Sequence, residues 1–259
     1  MTVSFRPETV RDNNIKLLLS QLQHSAYSCK ELSEKVGLSD VAVNKIIREM
    51  QSLRLVKRSA DDKTACGGSA GRRHIRYEAD GGRGLFVLFE TTSLHAAFYV
   101  FDFAGKLLAR RPIVLSLYVK LEEIQRMVQE AAEVVAGLGE VLCAAVSVQG
   151  QINPATKKFY MSDRFRDFVK ADISPAEIVS EGLHCETLID NNVHYMAKGS
   201  VIAEDLTDET VVYMFIGEGI AMSIMSHGRL VVGRAGYAGE VGFDRMYGEA
   251  KLTEHTSLR

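Results

Sequence analysis

The chain has 259 residues, 46% of them hydrophobic and 25% charged, with a formal net charge of −2 at pH 7. This composition is that of an ordinary soluble protein, and the length is enough to bury one core or two domains. No apolar run approaches the roughly 18 residues of a membrane span, and the N-terminus lacks the apolar core of a signal peptide. We therefore predict a cytoplasmic location and no membrane partner.

The cysteine and histidine content gives no support for a metal site. The four cysteines are far apart and form no CxxC pair: Cys29, Cys66, Cys143 and Cys185. We expect reduced thiols, no bound metal and no cofactor. His184 and His194 have no ligand partners at metal spacing, and we predict that both are structural or surface residues.

Charge is distributed unevenly along the chain. Residues 1–76 hold 14 Lys and Arg against 8 Asp and Glu, a net charge of +6, whereas residues 77–259 hold 17 against 25, a net charge of −8. A basic head on an acidic body suits electrostatic attachment to DNA.

The first motif, at residues 28–50, predicts two short helices joined by a tight turn. Ser28 and Glu31 form a capping box, Gly37 marks the turn, and Ser39 is a second N-cap. The run that follows places four apolar residues on one helical face: Val43, Ile46, Ile47 and Met50. This spacing predicts a helix-turn-helix whose second helix enters the major groove of DNA. The alternative is a pair of ordinary amphipathic helices in a small domain.

Residues 53–77 predict the wing of a winged helix. Residues 53–56 indicate a strand, residues 61–71 a polar Gly-rich loop, and residues 72–77 the returning strand. Arginines at the tip of such a hairpin can enter the minor groove. The alternative is a solvated hairpin with incidental arginines. Together with the two helices, these strands predict a winged helix-turn-helix DNA-binding domain at residues 1–80.

Outward side chains of this domain are the candidate DNA contacts. Asn44 could read adenine, while Lys45 or Arg48 could read guanine or bind phosphate. The full set of predicted DNA-binding residues is Ser39, Asp40, Ala42, Asn44, Lys45, Arg48, Arg72 and Arg73.

A second domain is predicted at residues 84–259, after a Gly-rich joint. Strand candidates lie at residues 85–90, 94–103 and 106–117. Residues 119–137 predict an amphipathic helix with one apolar stripe: Leu121, Ile124, Met127, Val128, Ala131 and Val134. Val141–Val148 is predicted to be a buried strand. Three antiparallel strands, a helix and a buried strand indicate an α/β core of the actin-like ATPase type.

Three motifs resemble those of the ROK family (repressors, open reading frames and kinases). Residues 68–73 resemble the Gly-Arg-Arg wing of the family's xylose and N-acetylglucosamine repressors, and residues 147–154 resemble its Val-Pro-Gly-Pro-Val-Asp loop. Residues 233–243 resemble its Gly-x-x-Gly-x-Ala-Gly-Glu-x-Gly-His signature. The chain is identified as a member of the transcription-factor branch. The resemblance implies an α+β or α/β architecture: a winged helix followed by an actin-like ATPase domain of the ROK sugar-kinase type.

Three departures from the family's sugar kinases argue against ATP-dependent phosphorylation. The early Asp-x-Gly-x-Thr turn aligns with residues 90–94, where Thr92 replaces the glycine. The Glu-Asn-Asp motif, which supplies the general base, aligns with residues 190–192, and the amide of Asn192 cannot take a proton. A shifted register would offer Asp190 instead. The second phosphate turn holds Glu218, whose carboxylate would repel phosphate. We predict no catalytic residue and no enzyme, with a degenerate sugar kinase as the alternative.

The resemblance also implies an effector site for a sugar or sugar phosphate. Asn191, Asn192 and Glu240 match positions that contact sugar hydroxyls in the proteins this chain resembles. In the alternative interpretation, the two asparagines cap the helix that follows, and Glu240 pairs with Arg234 or Arg245.

The C-terminal part departs from the family pattern. Phe243 replaces the histidine of the signature, and the family's Cys-rich zinc motif does not follow before Arg259. We therefore expect an incomplete second lobe with exposed edges that favour association. We predict a transcriptional regulator of carbohydrate-related genes, a repressor rather than an activator, that binds a double-stranded DNA operator. It is expected to bind as a homodimer or higher homo-oligomer. The alternative is an interaction module whose winged helix contacts protein.

Overall fold

The computed structural model describes residues 7–60, 75–92, 95–217, 220–233 and 237–243. The helices are α1 (Pro7–His24), α2 (Cys29–Val36), α3 (Asp40–Ser52), α4 (Leu121–Ala136), α5 (Arg166–Ala171), α6 (Pro175–Leu183) and α7 (Asn192–Ala203). The strands are β1 (Tyr27–Ser28), β2 (Val56–Arg58), β3 (Arg76–Ala79), β4 (Leu85–Thr91), β5 (Ala96–Asp102), β6 (Leu107–Ile113), β7 (Val141–Val148), β8 (Gln151–Ile152), β9 (Phe159–Met161), β10 (Glu186–Asn191), β11 (Thr210–Ile216), β12 (Ile220–Ser226) and β13 (Arg229–Leu230).

The chain divides into two compact units. One comprises Met1–Leu85 with Phe101–Leu108, and the other comprises Phe86–Val100 with Ala109–Arg259. Within the part of the chain that the structure describes, no helix has both the length and the apolar character needed to cross a bilayer.

The first unit begins with three helices and a three-stranded antiparallel sheet in the order β1-β3-β2. The predicted capping box is confirmed: Glu31 donates its amide to Ser28 Oγ, and Ser28 donates its amide to the Glu31 carboxylate at 2.7 Å. α2 ends at Gly37, whose φ of 70° is a conformation that favours glycine. Ser39 then caps α3 by accepting a hydrogen bond from the Ala42 amide.

The apolar faces of α1, α2 and α3 meet in one core. All four residues predicted for the inner face of α3 are buried, which confirms that part of the prediction. The core consists of Leu18, Leu22, Leu32, Val43, Ile46, Ile47, Met50 and Val56. Burial of each large apolar side chain contributes about 1.5–3 kcal/mol. This packing therefore fixes which face of α3 is turned inward and leaves the opposite face to solvent.

The strand after α3 begins later than predicted. Leu53 is the C-cap of α3, and Arg54 has a left-handed φ of 57°. The amide of Leu55 donates to the Met50 carbonyl at 2.8 Å, so the chain closes the end of the helix before it extends. β2 therefore starts at Val56, which lies opposite Ala79 of β3. The predicted loop at residues 61–71, with Arg72 and Arg73, lies outside the described residues.

A five-stranded sheet has the order β10-β7-β4-β5-β6. Strand β7 has the predicted bounds and runs parallel to β10, with Ser147 beside Asp190. Strands β4, β5 and β6 are neighbours joined by loops of a few residues, so they run antiparallel, as predicted. The predicted amphipathic helix is α4, which buries Ile124, Met127, Val128 and Ala131 together with Val135, whereas we expected Val134.

A second sheet, in the order β11-β12-β13, packs one face against α7. Ala197 and Val201 of α7 form a small core there with Met225 of β12. The other face carries three apolar pairs across β11 and β12: Val212 with Ile224, Met214 with Met222, and Ile216 with Ile220. On β11 these side chains are 53–67% exposed. This sheet is therefore packed on one side and apolar but open on the other.

Candidate functional site

The first candidate site is the solvent-facing side of α3. Val41, Asn44, Lys45 and Arg48 follow one another at i, i+3, i+4 and i+7, so they share one helical stripe, which we call the outer face of α3. All four are exposed, and they line an open groove together with Asp40. The buried residues of α3 hold the opposite stripe in the core, so this orientation is set by packing.

Three of the predicted DNA-binding residues serve the local fold. Ser39 caps α3, and Ala42 is half-buried. The Asp40 carboxylate accepts a hydrogen bond from the Ser33 hydroxyl of α2, which links the two helices across their turn. These contacts fix how α3 is presented, and they engage the polar groups of Ser39 and Asp40.

The remaining residues of the outer face of α3 include two cations. Lys45 and Arg48 are exposed, and no ion pair within the described residues engages either cation. Asn44 Nδ2 donates to the Asp40 backbone carbonyl at 2.7 Å. Val41 was absent from the predicted set, yet it is 81% exposed on the same stripe. Its spacing of three and four residues from Asn44 and Lys45 was the signal that could have identified it.

The second candidate site is the end of β4, where a sugar kinase would hold phosphate. Thr91 is fully buried and donates its hydroxyl to the Ser147 carbonyl at 2.9 Å. The Thr92 hydroxyl donates to the His95 carbonyl at 2.8 Å and accepts from the His95 amide at 3.1 Å. Glu90 accepts a hydrogen bond from the Tyr99 hydroxyl at 2.9 Å. The polar groups of this strand end are therefore engaged in holding the sheet together.

A charged cluster that the sequence interpretation missed lies at the start of α7. His194 Nδ1 lies 2.6 Å from one carboxylate oxygen of Asp190, and Lys198 Nζ lies 2.6 Å from the other. Burial alone would raise the pKa of Asp190, but the hydrogen bonds to His194 and Lys198 hold that pKa below its ordinary value. His194 was interpreted as a lone histidine; its contact with Asp190 arises because β10 ends at Asn191 and α7 begins at Asn192, which brings the first turn of α7 beside the end of the strand.

The predicted effector residues have different roles in the structure. Asn191 caps α7: its side-chain oxygen accepts from the Val193 amide at 2.8 Å, and its Nδ2 donates to the Gly150 carbonyl at 2.9 Å. The capping alternative is therefore confirmed for Asn191. Asn192 is 6% exposed at the first position of α7, and Glu240 is half-buried. No hydrogen bond among the described residues joins Glu240 to either asparagine. Arg234 and Arg245, the alternative partners of Glu240, lie outside the described residues.

The signature segment packs directly on β12. Gly239 accepts a hydrogen bond from the Met222 amide at 3.0 Å and has a φ of 91°. A Cβ atom at this position would lie 2.0 Å from the Met222 carbonyl oxygen, so only glycine fits. Tyr237 stacks on Tyr160, with ring centroids 6.0 Å apart.

Cys66 lies outside the described residues, and the three described cysteines are reduced. Cys29, Cys143 and Cys185 are free thiols, and burial raises the pKa of each. In the described ranges, no group of three His, Cys, Asp or Glu side chains could hold a metal ion.

Comparisons with known proteins place this geometry in context. The ROK family profile matches residues 93–254. A solved ROK family transcriptional regulator, a homologue of the E. coli MLC protein, aligns with a TM-score of 0.69 and 17% identity over 93% of this chain and 61% of that one. A glucokinase from Parabacteroides distasonis aligns with a TM-score of 0.54 and 15% identity over 67% of this chain and 53% of that one.

A further solved structure is similar in the same way. It is a ROK family protein from Streptococcus pneumoniae in complex with sucrose, with a TM-score of 0.52 and 20% identity over 64% of this chain and 54% of that one. Among curated proteins, none matches this chain. These likenesses show the fold, a mixed α/β architecture of the actin-like ATPase type. The chain spans 61% of the regulator and about half of the other two proteins.

Proposed function

The chain belongs to the ROK family, and we propose that it acts as a sequence-specific DNA-binding transcriptional regulator. The observation that carries this proposal is the outer face of α3. It presents Asn44, Lys45 and Arg48 to solvent on a helix whose other side is locked in a core. Two cations without an ion-pair partner suit phosphate or guanine, and an exposed amide suits a base edge.

The arrangement of the first unit supports this proposal. Three helices and a sheet in the order β1-β3-β2 follow the chain order of a winged helix, in which α3 is the recognition helix and the β2–β3 connection is the wing. The minor-groove role of Arg72 and Arg73, which belong to that connection, stays a prediction. The likeness to the regulator extends over 93% of this chain, against 67% and 64% for the other two structures. This difference fits a DNA-binding head at residues 1–80 and a kinase-like body at residues 84–259.

We also infer that the body has no kinase activity. Asn192 cannot serve as a base, and both carboxylate oxygens of Asp190 are engaged by His194 and Lys198. Thr91 and Thr92 use their hydroxyls within the sheet. Incubation with ATP, Mg²⁺ and glucose should therefore form no glucose phosphate; turnover above that of a heat-denatured sample would contradict this inference.

The proposed regulator works as two copies in the cytoplasm. Symmetric half-sites reward a dimer, because a single recognition helix contacts only a few base pairs. A sugar or sugar phosphate bound near Asn191, Asn192 and Glu240 would alter DNA affinity if it bound two states of the body unequally. Dimeric DNA binding and a sugar effector together fit a repressor of carbohydrate-related genes. A winged helix that contacts protein instead of DNA remains the competing function.

The test begins with selection of bound duplexes from a randomised DNA library by the purified chain. Affinity for the selected duplex is then measured by fluorescence anisotropy from 50 to 300 mM salt. The Lys45→Ala/Arg48→Ala variant should bind roughly 10- to 100-fold more weakly, and the slope of log affinity against log salt should fall by about 2–4, because a dimer loses two cations from each copy.

The matched control is Arg111→Ala/Lys170→Ala, which removes the same two charges from exposed positions on β6 and α5. It should bind the selected duplex as the parent does. Equal losses in both double variants would reduce the effect to net charge. Failure to select any duplex would favour the protein-contact function.

A further inference from the structure

Val41, on the outer face of α3, has an apolar side chain, which binding to phosphate does not explain. Val41 is the second residue of α3 and is 81% exposed. We propose that Val41 contacts the 5-methyl group of a thymine in the major groove; this inference rests on the proposed DNA-binding function. Val41 would thus set sequence preference, while Lys45 and Arg48 set affinity.

The fold gives no reason for valine at this position. The apolar residues of α3 that build the core lie on the opposite stripe. A β-branched side chain loses rotamer freedom in a helix, so alanine would favour α3 more than valine does. Single exposed apolar residues are common on protein surfaces, so exposure alone decides nothing. What distinguishes Val41 is its place in the groove that it lines with Asn44, Lys45 and Arg48.

Val41 lies in the part of a recognition helix that comes closest to the bases, as a short side chain requires. A recognition helix of a helix-turn-helix places its N-terminal residues against the base edges. Ser39 caps this end, and the hydrogen bond from Ser33 to Asp40 holds it against α2, so the first turn of α3 is firmly placed. From this first turn even a side chain as short as valine can reach a base edge.

The thymine methyl is the chemical partner that fits. It is the apolar group that a base pair presents in the major groove, and contact with an aliphatic side chain is a known way to recognise it. Asn44, one turn further along, donates one Nδ2 hydrogen to the Asp40 carbonyl, which leaves its second Nδ2 hydrogen and its side-chain oxygen, an acceptor, for a base edge. The expected site therefore has a thymine beside a base that offers an amino group to Asn44.

The experiment uses the duplex selected by the full chain and replaces each thymidine in turn with deoxyuridine. This change keeps base pairing and removes only the methyl group. At one position in each half-site we expect binding to weaken about fourfold, the effect of exposing one methyl-sized group, and about 15-fold when both half-sites are changed. Val41→Ala should bind the thymidine duplex with the same deficit and show no further loss on deoxyuridine.

The control is Val114→Ala, which truncates an apolar side chain that is 87% exposed in the second unit. This variant should keep the parent's response to deoxyuridine. If no thymidine position matters, or if Val41→Ala keeps the response, the inference is wrong while DNA binding stands. If the chain selects no duplex at all, the proposed function fails together with the inference.

Discussion

The outer face of α3 and the strand ends of the five-stranded sheet both carry polar side chains, but they use them differently. Thr91, Asp190 and Asn191 are engaged in hydrogen bonds within the body, in or beside the segments that the family resemblance aligned with kinase motifs. Lys45 and Arg48 have no ion-pair partner among the described residues. Polar groups that the fold does not engage are the ones available to a ligand, and the outer face of α3 presents two such cations on one helical stripe.

The largest expected effect tests whether the signature glycine is structural. Gly239→Ala combines a φ of 91° with a Cβ only 2.0 Å from the Met222 carbonyl oxygen. We expect the free energy of unfolding to fall by about 3 kcal/mol or more. Urea unfolding followed by circular dichroism measures the change, since the chain has no tryptophan.

Gly199→Ala is the control for this variant. Its Cβ would meet nothing within 4 Å on α7, so the substitution should stabilise the chain by up to about 1 kcal/mol. If Gly239→Ala were as stable as the parent, the close approach to β12 would be wrong.

An intermediate effect is expected from the charged cluster on α7. Asp190→Asn leaves His194 and Lys198 without their carboxylate and should lower the free energy of unfolding at pH 7 by about 1–3 kcal/mol. Because the pKa of Asp190 is lowered in the folded state, its contribution is present above its unfolded pKa and disappears as the pH falls through the folded one. The parent should therefore lose stability more steeply than Asp190→Asn below about pH 4.

Asp172→Asn is the matched comparison for this cluster. Asp172 also lies 2.6 Å from a lysine, Lys158, but its side chain is 79% exposed. We expect a much smaller change in unfolding, because solvent screens exposed ion pairs. Equal changes at Asp190 and Asp172 would mean that burial does not strengthen the ion pairs of Asp190.

The smallest expected effect on stability is that of removing the two cations on the outer face of α3. Lys45→Ala/Arg48→Ala removes charges that have no ion-pair partner within the described residues, so the free energy of unfolding should change by no more than about 0.5 kcal/mol. Circular dichroism in urea measures it on the same protein used for DNA binding. A loss above about 1 kcal/mol would mean that the outer face of α3 serves the fold.

Local signals in the sequence predicted the helices of the first unit well. The capping box at Ser28, the turn at Gly37 and the cap at Ser39 are decided by neighbouring residues, and apolar spacing decided which side of α3 is buried. The start of β2 was misplaced because Arg54 adopts a left-handed φ that favours glycine or asparagine. Its conformation depends on how the end of α3 packs.

Prediction of the sites was less complete for a related reason. Capping by Asn191 was one of its two predicted roles, because an asparagine just before a helix commonly accepts a hydrogen bond from the first amides of that helix. Val41 was missed, although its spacing from Asn44 and Lys45 along α3 indicates it. The contact of His194 with Asp190 could not be derived from helical spacing, because Asp190 lies on β10 and α7 begins only at Asn192.

The open face of the second sheet has a consequence for handling the protein. β11 contains seven residues, Thr-Val-Val-Tyr-Met-Phe-Ile, with no charge, glycine or proline, and it is the longer of the two edge strands in the described sheet. Segments of this kind stack in register into dry, interlocked sheets when many copies meet. Wherever newly made chains are concentrated, as in overexpression, β11 is therefore the segment from which fibrous aggregates should grow.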